Sequence, residues 1–233
     1  MGGGMSIEMW RAEREDGGVA SEVQSNVFHE LRREPALHDA ALYVDVSDRV
    51  VTLSGTVRCY PEKVAAGRAA RRVRGVRDVR NNVAVILPAP QQRSDDDLVY
   101  AALRLVGSDA LVPGGEIGVG IVSGWVTLTG VVQRYADQQA AEGAIQRLVG
   151  VKGVTNRITV QPTTPATAAK ARVMEVLRRS ALPRPGRIRV EVRGGSALLR
   201  GRVRSLAERD EAVAAAAGAP GVAWVRDDLK IAG

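Results

Sequence analysis

Apolar residues recur every four positions between Glu22 and Arg33, with Val23, Val27 and Leu31 on one stripe. That period predicts a helix, and Pro35 ends it. In ALYVDVS the period changes to two, with Leu42, Val44 and Val46 on one side and Tyr43 and Asp45 on the other. This is the pattern of a half-buried strand. Asp48-Arg49 then turns the chain into RVVTLSGTV, a second strand with Val51 and Leu53 set against Thr52 and Ser54. PEKVAAGRAARRV follows as a helix, with Pro61 in its first turn. Ala66, Ala69, Ala70 and Val73 fall at the i, i+3, i+4, i+7 positions of its buried face. Val79, Val83 and Val85 mark a last strand.

The same series occurs three times. VTLSGTV followed by GVRDVRNNVAV becomes VTLTGVV with GVKGVTNRITV, and then ALLRGRV with GVAWVRDDLKI. Gly55, Gly130 and Gly201 each lie twenty residues before Gly75, Gly150 and Gly221, at repeat offsets of 75 and 71 residues. Offsets of that length make each copy a small domain rather than one unit of a solenoid. The helix face recurs as Ala141, Ala144, Ile145 and Leu148, then as Ala212, Ala215, Ala216 and Ala219. Gly55, Gly130 and Gly201 sit inside strands, where glycine signals a bulge or a close backbone approach, here assigned to the following helix. Gly75, Gly150 and Gly221 read as helix-ending glycines. Ser123-Gly124 and Gly194-Gly195 supply hairpin turns in copies two and three.

The predicted fold class is α+β: three tandem α-β-β-α-β domains, each with two helices on one face of a three-stranded mixed sheet. The crossover through the second helix makes the second and third strands parallel. The expected boundaries are a flexible leader over 1–18, domains over 19–88, 97–161 and 169–233, and linkers over 89–96 and 162–168. PAPQQRSDDD and QPTTPATAA have the Pro- and Ser/Thr-rich composition of spacers.

Composition narrows the function classes. With one Phe, three Trp and four Tyr in 233 residues, the cores must be built from Val, Ala, Leu and Ile. Cys59 is the single cysteine, so there is no disulfide framework and no cysteine-rich zinc site. No apolar run is long enough to span a bilayer, and the N-terminus has no basic region followed by an apolar one. Met1-Gly2 with Ser6 fits a myristoylation pattern in form, but the Gly run reads as a leader. Net charge is +7, and residues 163–233 alone carry 14 Lys/Arg against 7 Asp/Glu. A domain with that field seeks anionic surfaces.

Catalytic chemistry finds little material. His29 and His38 are the only histidines, and no nucleophile elbow is present. Cys59 stands beside Arg58 and Lys63, which would lower a thiol pKa, but no base accompanies it. GGEIGVGIVSG lacks phosphate-loop spacing; Ile117, Val119 and Ile121 make it the first strand of copy two. Asp95 to Asp97 read as acidic residues at a helix start. The arginines are a stronger lead. Arg68, Arg71 and Arg72 lie off the alanine face, and copy three adds Arg184, Arg187 and Arg189. Arg200, Arg202 and Arg204 alternate along a strand and so share a sheet face, an arrangement that needs exposure or an anion. Trp224 reads as core or interface, leaving this basic patch without aromatics for base stacking.

VTLSGTV, an Ala-rich helix ending in GV, and V-x-N-x-V resemble the BON domain family of bacteria across residues 20–231. Copy three departs most, with Asp227 where the others have Asn81 and Asn156. The resemblance implies non-catalytic modules of envelope and osmotic-stress physiology that bind phospholipid; no cluster of Asp, His and Cys stands at ligand spacing, so no metal and no cofactor are expected. The expected chain is a cytoplasmic protein with peripheral contact at the inner membrane. Its ligand is anionic phospholipid held by Arg187, Arg189, Arg200, Arg202 and Arg204, together with Arg68, Arg71 and Arg72. The alternatives are protein–protein assembly or self-association, then nucleic acid, then potassium on backbone carbonyls by family analogy.

Overall fold

The structure is a computed structural model that describes residues 7–8, 19–37, 40–107, 116–161, 169–179, 188–193 and 195–232. The chain divides into two compact units. One reaches to Gln92 and takes in Arg204–Ala207 and the end from Ile231; the other is Arg93–Val203 with Glu208–Lys230.

Copy one runs through α1 (Val19–Arg32), β2 (Ala41–Ser47), β3 (Val50–Val57) and α2 (Tyr60–Arg72), and its third strand is split into β4 (Asp78–Asn81) and β5 (Ala84–Val85). β2 and β3 are antiparallel, while β4 and β5 run parallel to β3. One further pairing was not read from the sequence: β1 (Ile7–Glu8), within the expected leader, pairs in parallel with Leu42 and Tyr43. Copy two comprises α3 (Asp95–Val106), β6 (Glu116–Val122), β7 (Trp125–Val132), α4 (Tyr135–Gln146) and β8 (Gly153–Val160). Copy three comprises α5 (Ala169–Arg179), β9 (Ile188–Arg193), β10 (Ser196–Val203), α6 (Leu206–Ala217) and β11 (Trp224–Ile231). Both have three-stranded sheets with the second strand central, as the α-β-β-α-β order requires.

The two predicted periodicities meet in the core. Val23, Val27 and Leu31 of α1 are buried with Leu42, Val44, Val51 and Leu53 of the sheet and Ala66, Ala69 and Ala70 of α2. Both helices therefore lie on one sheet face, and the methyl-sized face of α2 lets it sit close. Thr52 and Ser54, at alternate strand positions, point away from this core.

Gly55 answers a different need from the one expected. Gly55 adopts φ +106°, and a Cβ there would lie 2.1 Å from the carbonyl oxygen of Ala41 on the adjacent strand. The close neighbour is thus β2, not the following helix. Gly75, Gly150 and Gly221 also hold positive φ, yet α2 already ends at Arg72 and α4 at Gln146. They turn the loop that enters the third strand rather than capping the helix. Copy one makes its hairpin with Asp48 and Arg49, both at positive φ, where copy two uses Ser123 and Gly124. The Asp95 carboxylate accepts the Ser123 and Gly124 amides at 2.7 and 2.9 Å. Asp95 therefore ties α3 to the β6–β7 turn, and Ser94 is the N-cap, accepting from the Asp97 amide at 3.2 Å.

A polar staple joins each second helix to the third strand. Asn81 Nδ2 donates to the Lys63 carbonyl at 2.7 Å, and its Oδ1 accepts the Val83 amide at 3.4 Å. Asn156 accepts the Ile158 amide at 3.0 Å and donates to Glu142 Oε2 at 2.9 Å. In copy three Asp227 accepts the Leu229 amide at 2.9 Å, but it has no N–H to give the helix. Arg209 of α6, at the position of Lys63 and Gln138, supplies the missing donor to Asp227 Oδ2. The departure at Asp227 is therefore compensated across the helix–strand contact.

Candidate functional site

Copy three separates its sheet into two chemically distinct faces. Ala197, Leu199 and Val203 of β10, Ile188 and Val190 of β9 and Leu229 of β11 are buried. Their alternate neighbours are exposed. Arg189, Glu191 and Arg193 face outward on β9, Arg200 and Arg202 on β10, and Trp224, Arg226, Asp228 and Lys230 on β11. Two bonds fix the sides: Asp227 turns inward to Arg209 on α6, whereas Asp228 turns outward to Arg200. The outer face thus collects six cationic side chains and two carboxylates. Arg189 and Arg200 stand directly opposite each other in the β9–β10 register.

Arg200 lies between the two carboxylates, 3.4 Å from Glu191 and 3.3 Å from Asp228. All three side chains are about half exposed, so these pairs contribute little stability and chiefly local neutralisation. Among the described residues, no ion pair holds Arg189, Arg193, Arg202, Arg226 or Lys230. The surplus therefore sits around Arg200 rather than on it. Trp224, 56% exposed at the start of β11, lies on this face rather than in a core. The patch does contain an aromatic, with one apolar side chain among cations.

Of the alternating trio Arg200, Arg202 and Arg204, the first two share the face as expected, and Arg189 joins them from β9. Arg204 lies past the end of β10, in the turn before α6, and is exposed. Arg187, Arg184, Gly194 and His38 lie outside the described residues. In copy one Arg68 is exposed and Arg71 half-buried on α2. Arg72 is committed elsewhere: it bonds Glu30 at 2.8 Å and Glu34 at 2.9 Å on α1. The Glu34 hydrogen bond, more than the Glu30 contact, holds its guanidinium above the usual arginine range. Arg193, Arg226, Lys230 and the exposed Trp224 extend the face beyond the residues expected from the sequence. The signal was present, since Trp224, Arg226, Asp228 and Lys230 share one parity in WVRDDLKI.

The other candidates recede. Burial pushes the Cys59 thiol up, outweighing the lowering effect of Arg58, which reverses the activation expected from its cationic neighbours. His29 is exposed on α1 and edge-on to Phe28. The glycine-rich segment is β6, paired to β7 along Glu116–Val122. Among the described residues, no group of His, Cys, Asp or Glu is placed to hold a metal.

The BON domain model matches the chain three times, over residues 20–86, 94–162 and 165–233. The chain belongs to the BON domain family. These BON copies cover the candidate face, which lies wholly within the third. No curated protein matches the chain. Among solved structures it is similar to CdsD, a structural protein of the type III secretion system of Chlamydia trachomatis. That likeness has 13% identity over 91% of this chain and 93% of that one, with a TM-score of 0.24. The C-terminal domain of CdsD matches at 13% identity over 90% and 96% of the two chains, with a TM-score of 0.25. Among the described residues no helix is long and apolar enough to cross a membrane.

Proposed function

We propose that this BON protein is a non-catalytic binding module whose third copy docks on anionic phospholipid surfaces, at the inner face of the bacterial membrane, in envelope or stress physiology. The observation that carries this reading is the outer sheet face of copy three, with six cations, two carboxylates and an exposed Trp224. A flat array of cations suits a plane of headgroups, and each basic residue near such a surface contributes about 1 kcal/mol. Trp at its margin suits the interfacial region, with an apolar ring and a polar N–H.

The test is co-sedimentation of the whole chain with anionic and neutral liposomes at low and moderate salt, beside duplex DNA. Arg202→Glu with Arg226→Glu removes two attractions and adds two repulsions, about 4 kcal/mol at most, so binding falls on the order of a hundredfold to a thousandfold. Selective, salt-sensitive binding lost in this variant supports the reading. Equal binding to DNA reduces the face to general attraction for phosphate, and no binding to either removes the membrane role.

A second reading, protein assembly, is favoured by copy two. Its outer sheet face carries Thr127, Thr129, Thr155 and Thr159 with exposed Val122, Trp125 and Val131. Arg157 is its one cation among the described strand residues. Trp125 lies over Gly153, where a Cβ would meet its ring at 2.6 Å, and its Nε1 bonds Thr155 at 2.9 Å. Exposed apolar residues on a sheet face with so little charge are a protein-binding chemistry. Sedimentation velocity across a concentration series, with Trp125→Lys as the control, tests it.

A further inference from the structure

The groove between α3 and α4 differs from its counterpart in copy one in a way that specifies a ligand. The 75-residue offset aligns the buried positions of the first helices, Val23, Val27 and Leu31 with Leu98, Ala102 and Val106. In copy one the helices are bridged across the surface by Arg72, which holds Glu30 and Glu34. Copy two keeps the cation, since Arg72 becomes Arg147, but Glu30 becomes Leu105. Two further polar positions change with it: Asn26 becomes Ala101 and Arg74 becomes Val149. The position of Glu34 falls at Asp109, outside the described residues. Among the described residues Arg147 has no carboxylate partner.

In place of the ion pairs there is a cleft of about 710 Å³ lined by Leu98, Ala101, Leu105, Ala144, Leu148 and Val149, with Arg147, Arg93 and Asp97 also lining it. Leu98 is buried beneath it, while Leu105 and Val149 are 38% and 52% exposed. The Arg147 guanidinium lies back along α4 beside Gly143, where an added Cβ would make an ordinary contact at 3.7 Å. Asp97 is bonded to the Ser94 hydroxyl at 2.7 Å. Copy three has lost the cation, with Gly218 at the Arg147 position.

We propose that this cleft binds a single-chain amphiphile with a carboxylate head. Its alkyl chain lies on Leu105, Ala101 and Val149, and its head takes the place of the Glu30 carboxylate on Arg147. Copy one shows which group this arginine accepts, and the cleft volume lies within the ~300–1,000 Å³ range of small-molecule sites. A hydrocarbon floor bordered by two arginines and one carboxylate carries one net positive charge, and it is matched by an apolar chain ending in one anion. The reading is independent of the basic face of copy three.

Dodecanoate, kept below its micelle concentration, is titrated into the whole chain and followed by methyl NMR, with dodecanol as the neutral control. Wild type shows saturable shifts at Leu98, Leu105 and Ala144. Arg147→Gln weakens dodecanoate binding about tenfold or more, the loss of one charge-assisted hydrogen bond, and leaves dodecanol unchanged. Leu105→Glu restores the copy-one pair on Arg147 and abolishes binding; Leu105→Gln, which fills the same space without the charge, weakens it less. Shifts absent from these methyls overturn the proposal, as does dodecanoate affinity that Arg147→Gln leaves intact or that dodecanol equals. Shifts elsewhere that vanish in Arg202→Glu assign the fatty acid to the copy-three face and also overturn it. Shifts appearing only with an added acidic amphipathic peptide would make the cleft a protein site and overturn it too.

Discussion

Copy three replaces the neutral Asn staple of the first two copies with an ion pair, and this exchange predicts a non-additive pair of substitutions. Asp227→Asn keeps the oxygen that accepts the Leu229 amide but removes the carboxylate from Arg209. Arg209→Gln removes the cation and leaves Asp227, whose side chain is 19% exposed, without its charged donor. A charge-assisted hydrogen bond is worth about 1.5–3 kcal/mol, and the partial exposure of Arg209 (36%) lowers that through solvent screening. Each single change should therefore cost ~1–2 kcal/mol. The double change restores a neutral Asn on the strand, whose Nδ2 can donate to the backbone carbonyl at position 209 as Asn81 donates to that of Lys63. It should recover most of the loss, with a coupling of about 1 kcal/mol or more. Because a three-copy chain need not unfold in one step, the readout is local: native-state hydrogen exchange of the Leu229 amide, which the staple bonds directly. Additive losses in the double variant would refute the claim that Arg209 compensates for the Asp227 departure.

Three further outcomes follow from single sites. Gly55→Ala places a Cβ 2.1 Å from the Ala41 carbonyl at φ +106°. It should destabilise copy one by about 3 kcal/mol or more, combining backbone strain with a displaced β2 strand, and thermal unfolding that stays at the wild-type temperature would exclude this. Asp95→Asn weakens two backbone-to-carboxylate bonds at the β6–β7 turn. Faster exchange at the Ser123 and Gly124 amides, equivalent to about 1–2 kcal/mol, is expected; unchanged exchange would show that the turn holds itself. Cys59 has its thiol pushed up, first by burial. Alkylation at neutral pH should be slower than for a free thiol. Above neutrality the unfolded thiol ionises before the folded one, so stability present below the unfolded value is lost as pH climbs from there through the raised folded value. Labelling at the rate of an unhindered peptide thiol would contradict the burial.

The sequence by itself determined the three-fold repeat, the α-β-β-α-β order, the buried stripes and the alanine helix faces. These are properties of local period: one residue's side of a helix or strand follows from its neighbours in the chain. The same period put Arg200 and Arg202 on one face, and the parity of WVRDDLKI places Arg226 and Lys230 together in the same way. What period does not contain is the partner across a gap. That Arg72 is spent on Glu30 and Glu34, and that Arg147 meets Leu105 instead, depends on where two helices cross, 38 to 42 residues apart in the chain for the copy-one pairs. The compensation of Asp227 by Arg209, the carbonyl of Ala41 facing Gly55, and the burial that outweighs the cations around Cys59 are also decided by packing. A charge is placed by the sequence, but whether it is paired, exposed or desolvated is settled only when another element arrives beside it.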